Sequence, residues 1–240
     1  MSSILEKIQQ RLMSKGDLDI STPLYISDKS DFKRNITDFI AAFRKYYPNY
    51  NIGYSFKTNY CRDFIDVVRE VGGYAEVVSP AEYQLARNYG FEDHEIIYNG
   101  VIPDVEDKLR VAKNGGIVNI ESGYELVQMV NAAHLPLEVG IRLNFNIGNG
   151  VVSRFGIDVD SAEYRKVKEL QQRGLITIKC VHCHISYARG LSYFKKRAEM
   201  MVKYAKELGA SIIDIGGNMF GRMDDSLKSQ YEEYVPCLLY

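Results

Sequence analysis

The sequence predicts an α/β protein in which a parallel sheet is covered by helices. Three observations carry this. Short apolar runs alternate with amphipathic helical patterns along most of the 240 residues, the order that a run of βα units produces. No repeat of fixed sequence and no low-complexity linker interrupts that order. Residues of chemical capability gather at the C-terminal ends of the predicted strands, where barrels and open α/β sheets build their sites.

Taken in order, Ile4, Leu5, Ile8 and Leu12 form an apolar helical stripe that ends before Gly16-Asp17. Thr22–Ser27 is a short strand. Asp28 then caps a helix through Tyr46, with Phe32, Ile36, Phe39, Ile40 and Phe43 on one face. Strands follow at Ile52–Phe56, Tyr74–Val78, Ile96–Tyr98, Ile117–Ile120, Val139–Asn144, Ile178–His184 and Ile212–Ile215. Helices lie between them at Asp63–Val71, Pro80–Tyr89, Val105–Lys113, Gly123–Ala133, Ser161–Arg173 and Ser192–Leu208, and a last helical pattern spans Asp225–Tyr234. Seven strands suit an open sheet, or an eight-stranded barrel that lacks one strand. The apolar end, Val235-Pro236-Cys237-Leu238-Leu239-Tyr240, reads as a chain cut short or one whose end docks on something.

Composition sets the class. The chain is 46% hydrophobic and 25% charged, ordinary for a soluble globular protein and enough for one large domain with a full core. A formal net charge of -1 gives no electrostatic case for nucleic acid or an anionic membrane. No apolar run approaches the roughly 20 residues of a membrane span. The N-terminus lacks the basic-then-apolar order of a secretory signal. Cys61, Cys180, Cys183 and Cys237 are too few, in so long a chain, for a disulfide framework. A reduced, cytoplasmic setting is expected.

The strand Asn51–Phe56 ends in Lys57, followed by Thr58-Asn59. Lysine is a poor strand residue and expensive to bury. A desolvated lysine can lose its proton near neutral pH and form a Schiff base with an aldehyde; the plainer reading is a surface lysine whose stem packs on the strand end. Further strand ends carry Glu76, Arg142 with Asn144, Cys180-Val181-His182-Cys183-His184, and Asp214-Ile215-Gly216-Gly217-Asn218. In a barrel all of these meet Lys57 at one mouth. The glycine pair could wrap a phosphate with backbone N–H groups, or only mark a turn. Alternation places Cys180, His182 and His184 on one face. Residues two apart on one strand rarely converge on a metal without further ligands, and no CxxC or HExxH spacing occurs, so no metal is expected. A neutral histidine lying flat on a planar aromatic ligand suits a barrel interior, as does a hydrogen-bonded core histidine. Arg142 on a buried strand needs an anion: a phosphate, a substrate carboxylate, or a carboxylate such as Glu76.

In this order the residues resemble the alanine racemase-like (fold type III) enzymes that use pyridoxal 5′-phosphate. The likeness is strongest to the ornithine/diaminopimelate/arginine decarboxylase branch. The matching segments are Thr22–Ile26, Tyr54-Ser55-Phe56-Lys57-Thr58-Asn59, Ala75–Ser79 with Glu82, Asn99-Gly100, Ser153-Arg154-Phe155-Gly156-Ile157, His182-Cys183-His184 and Asp214-Ile215-Gly216-Gly217.

The resemblance implies a (β/α)8 TIM-type barrel, here incomplete, since the family's eighth strand and C-terminal β-domain are absent. Residues 1–27 would be a helix and strand that join that β-domain, and 28–240 the cofactor-binding barrel. It implies that Lys57 holds the cofactor as a Schiff base and exchanges protons with the substrate, and that His184 stacks on the pyridine ring. Gly216, Gly217 and Asn218 would bind the phosphate. Arg142 would lie beneath the ring, and Glu76 stand where the family has an acidic residue close to the lysine. Ser186 would substitute for a displaced phosphate-binding serine, because Ile185-Ser186-Tyr187 replaces the family's Gly-Ser. Asn218 replaces a third glycine, and asparagine tolerates the left-handed region. The activity implied is decarboxylation of an amino acid, with a homodimer as the complete form. A racemase of the same fold and a non-catalytic single-domain cofactor binder are the alternatives.

Overall fold

The computed structural model describes residues 26–217, apart from Pro103, Leu135, Asn149, 151–152 and 187–189, together with 231–235 and positions 6, 8, 10, 13 and 14. The expected strand at Thr22–Ser27 therefore lies largely outside the described residues, as does Asn218.

Helix α1 (Lys29–Arg44) starts where Asp28 accepts the Asp31 N–H. It is followed by β1 (Gly53–Ser55), α2 (Arg62–Glu70), β2 (Tyr74–Val77), α3 (Pro80–Asn88), β3 (Ile96–Tyr98), α4 (Val105–Lys113), β4 (Ile117–Ile120) and α5 (Gly123–Ala133). Then come β5 (Leu137–Asn144), β6 (Ile157–Asp158), α6 (Ala162–Gln172), β7 (Ile176–His182), α7 (Leu191–Leu208), β8 (Ile212–Asp214) and α8 (Tyr231–Tyr234). The seven strands expected from Ile52 onward and the six helices between them are present; most of the expected N-terminal helix and of the last helical pattern, Asp225–Tyr234, lies outside the described residues. The additions are a single 3-10 turn at Asp93–Glu95 and β6, two residues that pair with the end of β5. β6 is too short to leave a period in the sequence, and it branches from the sheet without lengthening it.

The seven remaining strands are parallel, in the order β1-β2-β3-β4-β5-β7-β8. Helices cover one face, so the sheet is an incomplete barrel. Its outer core joins strand residues such as Ala75, Val77, Val118 and Ile141 to helix residues such as Ile65, Tyr83, Leu126 and Met201. On the inner face Ile97, Ile117 and Cys180 form a small apolar floor with Tyr74 and Ile212. Tyr50, just before β1, and Ile215, just after β8, pack in one cluster with Phe43 and Val235. The sheet thus curls until its two edges share a core, with no strand pairing between them among the described residues.

Two of the helix starts that lead away from the mouth use the same device. Ser79 Oγ accepts the Glu82 N–H while Glu82 accepts the Val78 N–H. Ser122 Oγ accepts the Glu125 N–H while Glu125 accepts the Glu121 N–H. A Ser-x-x-Glu spacing satisfies two orphan donors at once and sets the exit angle of each strand. Close packing inside is equally tight. A methyl at Gly140 would collide with the Asn119 side-chain oxygen and come within 3.0 Å of Cys180 Cβ. Gly140→Ala is expected to destabilise the fold by about 1–3 kcal/mol through overpacking, read from chemical denaturation; an unchanged midpoint would show that this interior can give way.

Candidate active site

Register brings the polar residues of the interior to one level. Arg142 pairs across from His182, and His182 from Asp214. Ser55 stands opposite Glu76. Lys57 follows in the turn after β1, which is closed by the Thr58 N–H and Oγ1 on the Ser55 carbonyl at 3.2 and 2.7 Å. Lys57 is exposed at the mouth, and its charge acts on both Glu82 and His184. The structure thus brings Lys57, Glu76, Arg142, His184, Gly216 and Gly217 to the same end of the sheet. Ser186 is exposed, with no described contact to the glycine pair.

Arg142 finds its anion in Glu121, and not in Glu76. One Glu121 oxygen meets the guanidinium and the other accepts the Gly156 N–H at 3.0 Å. Both side chains are buried. Phe155 lies over the same guanidinium, 5.0 Å from its ring centre, so the Ser153–Gly156 segment is clamped to the barrel rim. Glu121 follows β4 directly, and the signal for it was there. Asn119 and Glu121 are the polar positions two apart in the otherwise apolar stretch Ile117–Glu121, which marks an inward face. Asn119 donates to Asn99 at 2.7 Å and reaches Asp214 at 3.4 Å.

His182 Nδ1 lies 2.8 Å from Asp214 Oδ2. Burial pushes the Asp214 carboxyl up, but His182, the Gly216 N–H and Asn99 outweigh it and hold the group at about 2. Asp214 Oδ1 accepts the Gly216 N–H at 3.0 Å. Gly216 adopts φ +61, and a Cβ there would fall 2.6 Å from the Cys183 carbonyl, so only glycine fits this tight turn. Gly217 donates its N–H to His184 Nδ1 at 3.3 Å. An Nδ1 that accepts is unprotonated. Burial, joined by the charges of His182, Arg142, Lys57 and Arg197, lowers His184 to about 4. The ring is neutral through the physiological range.

That makes a sign-specific prediction. His184 is depressed from 6.5 to about 4 on folding, so the unfolded chain binds its proton first. Stability should be full above pH 6.5 and fall by about 3 kcal/mol as pH drops toward 4. His184→Gln should remove that slope, measured by denaturant titrations across the range; identical slopes in the two proteins would refute the neutral assignment.

Pyridoxal-dependent decarboxylases provide the match. A family described as "Pyridoxal-dependent decarboxylase, pyridoxal binding domain" covers residues 33–239. The chain belongs to this family. Among curated relatives it is 29% identical over 219 residues to a probable chloroplastic diaminopimelate decarboxylase of Oryza sativa subsp. japonica, covering 82% of this chain and 44% of the relative. It is 29% identical over 220 residues to the diaminopimelate decarboxylase of Aquifex aeolicus, covering 82% and 50%. The chain spans about half the length of these relatives. In fold it matches the Helicobacter pylori diaminopimelate decarboxylase complexed with L-lysine, with TM-score 0.78 and 19% identity over 96% of this chain and 62% of that one. It also matches the Paramecium bursaria Chlorella virus arginine decarboxylase, with TM-score 0.70 and 18% identity over 86% and 58%.

The family's ligand fits the residues present. Gly216 and Gly217 leave a surface bare of Cβ atoms at the strand end. Ser55 Oγ is buried without a partner among the described residues, a polar atom that a bound ligand can satisfy. A surface groove between α6 and α7, lined by Asp160, Tyr164, Lys168, Lys203 and Glu207, lies on the helical outside and holds none of these groups. No helix among the described residues is long and apolar enough to cross a membrane.

Proposed function

We propose that this chain is the cofactor barrel of an amino-acid decarboxylase of the diaminopimelate type, with Lys57 as the residue that bonds the cofactor aldehyde. The observation that carries this is the convergence of an exposed lysine, a neutral imidazole and a bare glycine pair at one end of a parallel barrel, in a chain of the pyridoxal-dependent decarboxylase family. Bound pyridoxal phosphate would supply an electron sink for the carbon that loses CO2.

The chain's own residues divide the remaining work. Lys57 would hold the aldehyde carbon and carry a proton at Nζ to and from the substrate carbon. His184, uncharged, would lie against the ring without placing a competing positive charge there. Gly216 and Gly217, bare of Cβ atoms, would let the phosphate approach the backbone closely at the strand end. Arg142, already neutralised by Glu121, would act as a fixed hydrogen-bond donor at the ring edge. Glu76 would stand beside Lys57 on the inner face of β2. A diamino acid such as diaminopimelate is the proposed substrate, and a homodimer the proposed assembly.

The test is to load the protein with pyridoxal 5′-phosphate and assay CO2 release from diaminopimelate, ornithine and arginine. Release from diaminopimelate at the highest rate supports the reading. Interconversion of amino-acid enantiomers without CO2 release would favour the racemase, and cofactor uptake with no turnover the non-catalytic binder.

A further inference from the structure

Arg197 has no place in the site as described so far. It sits on α7 with only 1% of its surface exposed. Burying a guanidinium without an anion costs several kcal/mol, and among the described residues no carboxylate lies within ion-pair distance of it. Asp214, the nearby acid, is already held by His182 and the Gly216 N–H. The Arg197 contacts are long ones: both terminal nitrogens donate to the Gly217 carbonyl at 3.4 Å, Nε has no partner among the described residues, and Phe194 lies 5.1 Å beneath. Its charge reaches His184, Cys183 and Asp214.

We propose that Arg197 is the positioning residue of the phosphate subsite, a buried cation behind the glycine pair whose charge the cofactor phosphate balances. The inference rests on the cofactor reading above. Through its two 3.4 Å contacts to the Gly217 carbonyl on the helix side, Arg197 biases the glycine loop toward the mouth. Its positive charge, itself shielded from water, then acts through the loop on a phosphate dianion several ångströms away. A phosphate at the loop relieves part of the penalty of the buried guanidinium, and this coupling makes the subsite selective for a phosphorylated ligand.

The experiment compares two ligands on one apoprotein. Pyridoxal 5′-phosphate and pyridoxal both offer an aldehyde to Lys57, pyridoxal through the open form of its internal hemiacetal, but only the first carries the phosphate, so each ligand is compared with itself across the variants. Arg197→Met is expected to raise the apparent Kd for pyridoxal 5′-phosphate roughly tenfold or more, followed by absorbance, and to leave that for pyridoxal unchanged. Arg197→Lys should restore most of the loss. Equal weakening of both ligands would overturn the proposal and leave Arg197 as a packing residue. No adduct of either ligand with the unsubstituted protein would overturn the cofactor reading itself, and this proposal with it. Should Arg197→Met not fold, the phosphorus resonance of bound cofactor in the unsubstituted protein decides. A signal that stays dianionic below the free ligand's second pKa of about 6 supports a cation behind the loop, and one that titrates like free ligand overturns it.

Discussion

Lys57→Ala is expected to carry no borohydride-stable pyridoxyl group after incubation with pyridoxal 5′-phosphate, whereas the unsubstituted protein should carry one, mapped to the peptide containing Lys57. The effect is all-or-none because no other side chain in the Ser55–Asn59 turn is an amine. Geometry supports the choice. The turn is fixed by two hydrogen bonds from Thr58 to the Ser55 carbonyl, and Phe56, fully buried under Tyr89 and Phe91, anchors the strand end. The lysine therefore starts from a hydrogen-bonded turn, with its charge acting on His184 and Glu82. Folding should be indifferent to the change, since Lys57 is exposed, and decarboxylation should fall by at least about two orders of magnitude. A reducible adduct retained at the same level on another lysine would sink the assignment.

The second large effect concerns stability. Lys108 is wholly buried, paired with Glu125, and donates to the Gly100 carbonyl at 2.6 Å. Glu125 in turn accepts the Glu121 N–H at 2.9 Å, next to the residue that anchors Arg142. Lys108→Met keeps the bulk of the side chain and removes the charge, leaving a buried carboxylate uncompensated. The expected loss is about 3–5 kcal/mol, or on the order of 10 °C in Tm. The pH dependence identifies the cause. Burial already raises the Glu125 carboxyl, against the pull of Lys108; without that pull it rises further. A carboxyl raised on folding binds its proton in the native state first, so stability declines as pH increases through that range. Lys108→Met should therefore be less destabilised at pH 5 than at pH 8, the reverse of ordinary acid denaturation. A deficit independent of pH would mean that lost packing, and not the stranded charge, is responsible.

Much of the fold was legible in the sequence because it is local. Alternating apolar runs and amphipathic patterns are properties of a few neighbouring residues, and the predicted helices Val105–Lys113 and Gly123–Ala133 match the structure end to end. Lys57 and the glycine pair stood out for the same reason, each being an unusual residue at a strand end. The partner of Arg142 did not. Glu121 and Glu76 are both acids near strand ends, and only the register of β4 against β5 decides that Glu121 meets the guanidinium. Nor could a period announce β6, which consists of two residues held by the end of β5.

Arg197 is the clearest case of the division. In sequence it is one basic residue in Phe194-Lys195-Lys196-Arg197, on a helix whose neighbours Lys195 and Lys196 are exposed, and nothing marks it. The sequence by itself determined the order of strands and helices, the lysine at the first strand end and the glycine turn at the last, because these follow from side-chain pattern and backbone chemistry within one segment. Tertiary structure decided which charges are buried, which acid meets which base, and that the imidazole of His184 is neutral. Those depend on distance and desolvation between segments far apart in the chain, and no local pattern carries either quantity.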